Sequence, residues 1–315
     1  MKKEARSLGK EARSQKPEAR MWARLPATLV LTSGFWLLAS GFLPQASGFL
    51  PQQTLKVDVN LVNIFATVKD DAGGFVTDLN RDDFRVYEDD QPQDIQIFEK
   101  QDRVDSSVGI LMDTSGSMVD ILPVMRKAVP EFTSSMLKRD EFFIVSFGTS
   151  VKLVHRSSQS KKHFDDSLHQ MRAYGTSVLY DALLYSLGRV EASDHPRKAL
   201  IVFTDGNDNG SNVGHGRVVE EAQQSAVLLY FVAIGSRVLV DSHTLESLSD
   251  MTGGRTLYVG KQEAVQPVLD QIRTELAHQY YLGYYMQRRP GYHRLRVEVP
   301  GRNVRIRAKA GYVGG

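Results

Sequence analysis

The sequence predicts an α/β protein in which a mostly parallel sheet, flanked by helices, is joined to a small β-sandwich. Three observations carry this prediction. Near-continuous apolar segments alternate with amphipathic segments in the middle of the chain, period-two alternation precedes this region, and period-two alternation returns after it. Strands that lack a polar face must be covered on both sides, whereas alternating strands bury only one face.

The N-terminal region has the order of a secretory signal. Residues 1–24 contain eight basic and three acidic residues, and an apolar run follows at 25–43. We therefore interpret 1–53 as a signal peptide or apolar segment with a low-complexity repeat, starting at Met1 or Met21. An uncleaved membrane anchor is the alternative. Both interpretations predict an exported protein that is periplasmic, on the cell surface or secreted.

Two strand-rich flanks surround the central region. Residues 54–105 and 279–315 alternate apolar and polar side chains, and Pro300 and Gly301 predict a turn that joins the last two strands as a terminal hairpin. Each flank is too short for a core of its own, so we expect the two to pack together. The α/β region at 106–278 would then be an insertion in this smaller domain.

The central region predicts four buried strands and six helices. The apolar runs that we interpret as strands lie at 108–112, 142–147, 199–204 and 228–234. The amphipathic segments that we interpret as helices lie near 119–138, 161–171, 178–190, 216–226, 242–251 and 262–279. This alternation is typical of a parallel sheet with helices on both faces.

Composition excludes several classes of function. The formal net charge of +2, with 24% charged residues, is too small to give an overall positive electrostatic field that would attract nucleic acid. There are no cysteines, which excludes disulfides and thiolate metal sites. The eight histidines share no ligand spacing, and we expect those at 155, 163, 169, 195 and 215 to lie on the surface. A metal would therefore be held by oxygen.

Oxygen-bearing side chains follow the predicted strands at the edge where ligands collect in parallel sheets. Three loops supply them: Asp113, Ser115 and Ser117 in the first, Gly175, Thr176 and Ser177 in the second, and Asp205 with Gly206 in the third. Oxygen-only donors favour a hard cation, with Mg²⁺ the best fit and Mn²⁺ or Ca²⁺ as possible substitutes. Glycines at 116, 175 and 206 would relieve crowding around the ion.

The motif D-x-S-x-S at 113–117, together with Thr176 and Asp205, resembles the metal-ion-dependent adhesion site of the von Willebrand factor type A (VWA) domain family. The flanks are similar to those of the VWFA-related family described chiefly from acidobacteria. The resemblance implies a Rossmann-like fold in which the three hydroxyls approach the metal directly, and the two carboxylates do so directly or through water. It also implies an open coordination position that accepts a Glu or Asp carboxylate from a partner.

The expected function is an exported binding or adhesion module that engages a protein partner and no nucleic acid, with membrane contact only through an uncleaved N-terminal segment. We expect the partner to contact Gly116, Gly175, Gly206 and Asn207, and the loop 206–212 to be flexible. The alternatives are a structural envelope protein with a stabilising metal and a Mg²⁺-dependent hydrolase. The sequence lacks the P-loop, the G-x-S-x-G motif and the base grouped with a nucleophile that would support a hydrolase, so no enzyme is predicted.

Overall fold

A computed structural model of the protein describes residues 59–100, 104–238, 240–260, 264–287 and 289–314. The predicted N-terminal segment 1–53, including its export signal, lies outside the described residues. The strands are β1 (Val59–Asp70), β2 (Arg85–Glu88), β3 (Gln91–Gln93), β4 (Ile97–Lys100), β5 (Ser106–Asp113), β6 (Glu141–Phe147), β7 (Val151–Arg156), β8 (Arg197–Thr204), β9 (Val227–Ile234), β10 (Arg255–Val259), β11 (Gln279–Gln287), β12 (Gly291–Glu298), β13 (Val304–Arg307) and β14 (Gly311–Gly314). The α-helices are α1 (Leu122–Ser134), α2 (Lys161–Gln170), α3 (Leu179–Glu191), α4 (His215–Gln224), α5 (Ser242–Thr252) and α6 (Gln266–Ala277).

The central sheet has six strands in the order β10-β9-β8-β5-β6-β7. All pairs are parallel except β6 with β7, which are antiparallel and joined by a short turn. The predicted mostly parallel sheet is therefore confirmed. The sequence interpretation did not include β7 and β10, which form the two edges. Edge strands are short and partly exposed here, so they lack the continuous apolar run that marks the inner strands.

Helices cover both faces of this sheet. Side chains on β5 alternate between two cores: Ile110 and Met112 face one that includes α1, α2 and α6, while Leu111 faces one that includes α3, α4 and α5. Each core is built from buried aliphatic and aromatic side chains, which accounts for the unbroken apolar character of the inner strands. Within the described residues, no helix has the length and hydropathy needed to cross a membrane.

The two flanks form a β-sandwich of two four-stranded sheets. The first sheet has the order β13-β1-β11-β4, and the second has the order β14-β12-β2-β3. Each sheet combines strands that precede the central sheet with strands that follow it, and all its pairs are antiparallel. The shared core contains Ile64, Phe84 and Tyr284. The predicted antiparallel sheets from the flanks are thus confirmed.

The terminal hairpin was predicted incorrectly. A turn does lie at Pro300 and Gly301, but β12 pairs with β2 and β14, whereas β13 pairs with β1 in the opposite sheet. The chain therefore crosses from one sheet of the sandwich to the other at this turn. Local alternation identifies both strands, but β2 and β1, with which they pair, lie more than 200 residues earlier in the sequence and leave no local signal.

Candidate functional site

The site lies at the carboxyl edge of the central sheet, where β5 and β8 end side by side. Met112 of β5 is paired with Phe203 of β8, so Asp113 and Thr204 end adjacent strands. A parallel sheet directs both following loops to the same edge. The first loop, which carries Ser115 and Ser117, and the third loop, which carries Asp205, are therefore neighbours.

Asp113 is fully buried and accepts three hydrogen bonds. Its Oδ1 accepts from the backbone N–H of Ser115 at 2.8 Å. Its Oδ2 accepts from the hydroxyl of Ser177 at 3.1 Å and from the hydroxyl of Thr204 at 2.9 Å. One carboxylate thus contacts all three predicted loops, and its position is fixed from each of them.

The first and second loops also contact each other directly. The backbone N–H of Gly116 donates to the carbonyl oxygen of Gly175 at 3.1 Å. The hydroxyl oxygens of Ser115 and Ser117 lie 3.2 Å apart, and Ser115 is buried while Ser117 is exposed. Thr176 lies between Gly175 and Ser177, each of which bonds to the first loop, and its side chain is exposed.

The charges of the site favour a bound cation. Burial, together with the smaller effect of the negative charge of Asp205, raises the pKa of Asp113 to about 6, against the opposing hydrogen bonds from Ser115 and Thr204. Among the described residues, no lysine or arginine forms an ion pair with either carboxylate. A carboxylate held this way needs a positive charge, and carboxylate and hydroxyl oxygens are donors suited to a hard divalent ion. The residues present therefore fit such an ion.

The glycines at the site differ in what they do. Gly175 and Gly206 have φ angles of 76° and 84°, and an added Cβ would lie 2.4 Å from Thr149 Cγ2 and 2.8 Å from Val240 Cγ1, respectively. Both positions therefore require glycine. At Gly116 the nearest protein atom to an added Cβ is 3.6 Å away, an ordinary contact, so the protein itself does not require glycine there. Gly206 is buried, whereas Gly116, Gly175 and Asn207 are exposed.

The loop that begins at Gly206 is anchored, in contrast to the flexible loop expected from the sequence. Asp181, in the first turn of α3, accepts from the backbone N–H groups of Asn212 and Val213 and from the side-chain amide of Asn212. Asp208 accepts from the N–H of Tyr180 at 3.2 Å. The polar residues of the loop therefore satisfy the N-terminal N–H groups of α3 and each other.

Thr204 is a site residue that the sequence interpretation missed. It is fully buried, donates to Asp113, and accepts from the backbone N–H of Gly206 at 3.0 Å. It therefore connects the third loop to the buried carboxylate. The available signal was a hydroxyl at the last position of an otherwise apolar strand, directly before Asp205.

A second group of potential ligands lies in the sandwich and is already satisfied. Glu88, Asp89 and His293 could between them direct three ligand atoms to one point. However, Glu88 accepts from Tyr284 Oη at 2.5 Å and forms an ion pair with Arg289, and His293 Nδ1 lies 2.8 Å from Asp89 Oδ2. Arg289 and His293 already pair with the two carboxylates, which makes the cluster an ion-pair network of the fold.

Exposed apolar side chains lie on or beside the loops of the candidate site. Val119 follows the first loop and is 57% exposed, Tyr174 precedes the second and is 58% exposed, and Val238 lies in the loop after β9 and is 92% exposed. The Val238 loop adjoins the site because Val240 packs against Gly206. These three side chains therefore expose apolar area on loops that follow the strands of the central sheet or border the second loop.

Comparisons with known proteins agree with this geometry. The sequence-family model of the von Willebrand factor type A domain matches residues 107–272. Calcium-activated chloride channel regulator 3A-1 of Mus musculus is 26% identical over 164 residues, and calcium-activated chloride channel regulator 1 of Bos taurus is 28% identical over 170. Each match covers 49% of this chain and only 17% of the relative.

The fold also resembles that of proximal thread matrix protein 1 from the mussel byssus, whose structure is described with a zinc-occupied MIDAS motif. The TM-score is 0.51 with 13% identity, and the match covers 61% of this chain and 50% of that protein. VWA domains are typically protein-binding and adhesion modules. Because the family model spans more than half of its length, this chain belongs to the von Willebrand factor type A domain family.

Proposed function

We propose that this protein is an exported, non-enzymatic binding module that holds a divalent cation, with Mg²⁺ preferred, and uses it to bind a carboxylate of a protein partner. Asp113, Ser115, Ser117, Thr176 and Asp205 would hold the ion. Gly116, Gly175 and Asn207 would contact the partner, with Gly206 shaping the loop beneath. Mn²⁺ and Ca²⁺ use the same donor class and could replace Mg²⁺.

One observation carries this proposal. The buried carboxylate of Asp113 is bonded from all three loops and has no cationic partner among the described residues. Two carboxylates match the formal charge of a divalent ion without exceeding it, and the hydroxyls add no charge, so excess negative charge would not repel a further anionic ligand. An incoming Glu or Asp side chain could then complete its coordination.

The surroundings of the site support a protein as the partner. Val119, Tyr174 and Val238 would bury apolar area around the metal-bound carboxylate, which a small anion could not do. The hydroxyls that donate to Asp113, those of Ser177 and Thr204, are buried, and the exposed hydroxyl of Ser117 is bonded to Ser115 and not to a carboxylate. Binding is therefore a better account of these residues than catalysis.

Calorimetry with Mg²⁺ tests the metal site. We expect binding by the wild-type protein and none by the Asp113→Ala or Asp205→Ala variants. Asp205 is only half-buried, so its variant should fold even if loss of the buried Asp113 disturbs the core. Asp120→Ala, an exposed acid in the same turn, is the matched control and should bind as the wild type does. Equal Mg²⁺ binding by all variants would refute the assignment.

A pull-down from cell-envelope extract, with and without chelator, tests what the metal is for. We expect a captured protein that is lost with chelator and with Asp205→Ala. A metal that only stabilises the fold would raise the melting temperature equally well, so stability cannot distinguish the two roles. Capture of the same protein in the presence and absence of chelator would favour a structural role.

A further inference from the structure

A polar cleft adjoins the proposed metal site on the β6 side. It has a volume of about 480 Å³, and its lining includes Thr114, Thr149, Lys152, Arg172 and Tyr174. Thr114 lies between Asp113 and Ser115, so the wall of the cleft and the metal-site loop are the same piece of chain. The cleft is therefore placed to receive whatever part of a partner continues beyond the ion.

Hydrogen bonds fix this wall. The backbone N–H and the hydroxyl of Thr114 donate to the carbonyl oxygen of Phe147 at 2.6 and 2.9 Å, and the N–H of Tyr174 donates to the carbonyl oxygen of Thr114 at 2.9 Å. On the other side, Thr149 Cγ2 is the atom that an added Cβ at Gly175 would meet. The cleft and the metal-site loops thus form one continuous and well-supported surface.

The basic side chains of the cleft form no ion pair with a carboxylate of the described residues. Lys152 is exposed, and it forms no ion pair among the described residues. Arg172 donates to the carbonyl oxygens of His169 and Met171 at 2.6 and 2.9 Å and pairs with no carboxylate of the described part of the chain. Most described arginines pair with a carboxylate, and no acidic residue lines the cleft.

A third cation strengthens this field. Arg126 of α1 donates to the same carbonyl oxygen of Met171 that Arg172 uses. Burial lowers the pKa of Arg126, and the like charge of Arg172 lowers it further. Two guanidinium groups therefore share one carbonyl at the cleft, which leaves an excess of positive charge there.

The opposite side of the metal site is acidic. In the sheet, β8 lies on one side of β5 and β6 lies on the other. Beyond Asp205, which is assigned to the ion, Asp208 also follows β8, whereas Lys152 and Arg172 lie beyond β6. A negatively charged chain crossing the ion would be repelled on the β8 side and attracted on the β6 side.

We propose that this cleft binds a second acidic side chain of the partner, so that the partner contributes an acidic segment running from the metal toward the turn between β6 and β7. This inference rests on the proposed function, because it takes the first carboxylate to be bound at the metal. Beyond the proposed function, it predicts that the partner segment is acidic and that this segment runs across the site from the metal into the cleft.

Chemical-shift titration of the full chain in Mg²⁺ tests the proposal, since it measures weak affinities. The probes are Gly/Ser decapeptides that carry one Glu, or two Glu separated by one, two or three residues. We expect the second Glu to strengthen binding about five-fold at one favoured spacing. We expect Lys152→Gln to remove this gain while leaving the one-Glu affinity unchanged.

Lys162→Gln, which removes the same charge from an exposed position of α2 outside the cleft, is the matched control and should keep the gain. A gain that is equal at all spacings, or that survives Lys152→Gln, would overturn the inference while leaving the proposed function intact. If the one-Glu peptide binds equally well with chelator or to Asp205→Ala, the proposed function fails and the inference fails with it.

Discussion

At the scale of single residues, Thr204 connects two of the loops that form the metal site. Its hydroxyl donates to Asp113 and accepts from the N–H of Gly206. Neither of these groups has access to bulk water at this position, because Asp113, Thr204 and Gly206 are all buried. The hydroxyl therefore satisfies a buried carboxylate and a buried amide at once.

Replacing Thr204 with Val should remove both bonds without changing the shape of the side chain. We expect the free energy of unfolding to fall by about 1 to 3 kcal/mol, because a buried acceptor and a buried donor lose their partner. We also expect weaker Mg²⁺ binding, since the third loop loses its connection to Asp113. Urea unfolding and calorimetry measure the two effects.

Thr204→Ser keeps the hydroxyl and is the control for Thr204→Val. It should lose less stability than the Val variant and retain Mg²⁺ binding. If the Val and Ser variants bind Mg²⁺ equally well, the hydroxyl of Thr204 has no part in organising the site.

The polar residues that the structure brings together at the sheet edge could be predicted from the sequence, but some of the residues buried around them could not. Asp113, Ser115 and Asp205 were recognisable because polar side chains directly follow apolar strands. By contrast, His155 was expected on the surface and is buried, with its Nδ1 3.2 Å from His163 Nδ1. It lies on β7, which the sequence did not reveal, so nothing indicated that α2 would cover it.

At the scale of secondary-structure elements, α6 joins the central sheet to the sandwich through one buried carboxylate. Glu275 of α6 is fully buried and forms ion pairs with Lys69 of β1, Arg255 of β10 and Arg307 of β13. Burial would raise the pKa of Glu275, but Arg307, Arg255 and Lys69 together hold it below its usual value. The charged form is therefore the one that the fold stabilises.

Glu275→Gln should destabilise the protein by about 3 kcal/mol or more, because three cations lose their shared partner. The pKa of Glu275 is lowered on folding, so its contribution is complete above the unfolded-state pKa of about 4.3 and is lost as the pH falls below it. The wild type should therefore lose its advantage over the variant between about pH 5 and the lower folded-state pKa. Urea unfolding of both proteins at a series of pH values measures this.

Asp270→Asn is the matched control for Glu275→Gln, because Asp270 lies on the same helix in an exposed ion pair with Arg273. We expect a change of less than about 1 kcal/mol for the control. A similarly small change for Glu275→Gln would show that the buried cluster contributes little to stability.

Elements with a strong periodic pattern could be predicted from the sequence, and those defined by distant partners could not. The inner strands β5, β6, β8 and β9 were found because each is a continuous apolar run. The partner of β13 was not, because a four-residue strand carries no information on which sheet it joins. Pairing across such long separations depends on the packing of the whole chain.

At the scale of the whole molecule, the first sheet of the sandwich packs on both of its faces. Ile64 and Tyr280 point into the sandwich core, whereas Phe65 and Tyr281 stack at 5.0 Å and belong to the core under α1 and α6. Lys309 also donates to the carbonyl oxygens of Gln223 and Ser225 at the end of α4. The sandwich and the VWA unit therefore share buried surface at two places.

We propose, with the boundaries suggested by the sequence, that 54–105 and 279–315 form one domain and that 106–278 is inserted in it. The fragment 106–278 should then fold but be less stable than the chain from residue 54 to 315. It would lose Phe65 and Tyr281 from its core and Lys69 and Arg307 from Glu275. We expect a melting temperature lower by about 6 to 12 °C, since about 3 kcal/mol of stability is lost.

Calorimetric unfolding of the two proteins, each with and without Glu275→Gln, tests whether the sandwich and the VWA unit are coupled. In the fragment only Arg255 remains beside Glu275. The substitution should therefore lower the free energy of unfolding by less in the fragment than in the longer chain. Because the two costs are compared in a double-mutant cycle, a general loss of stability in the fragment cancels. The longer chain should unfold in one transition. Two separate transitions, with equal costs of Glu275→Gln in both proteins, would mean that the flanks form an independent domain and that α6 is not mechanically linked to the sandwich.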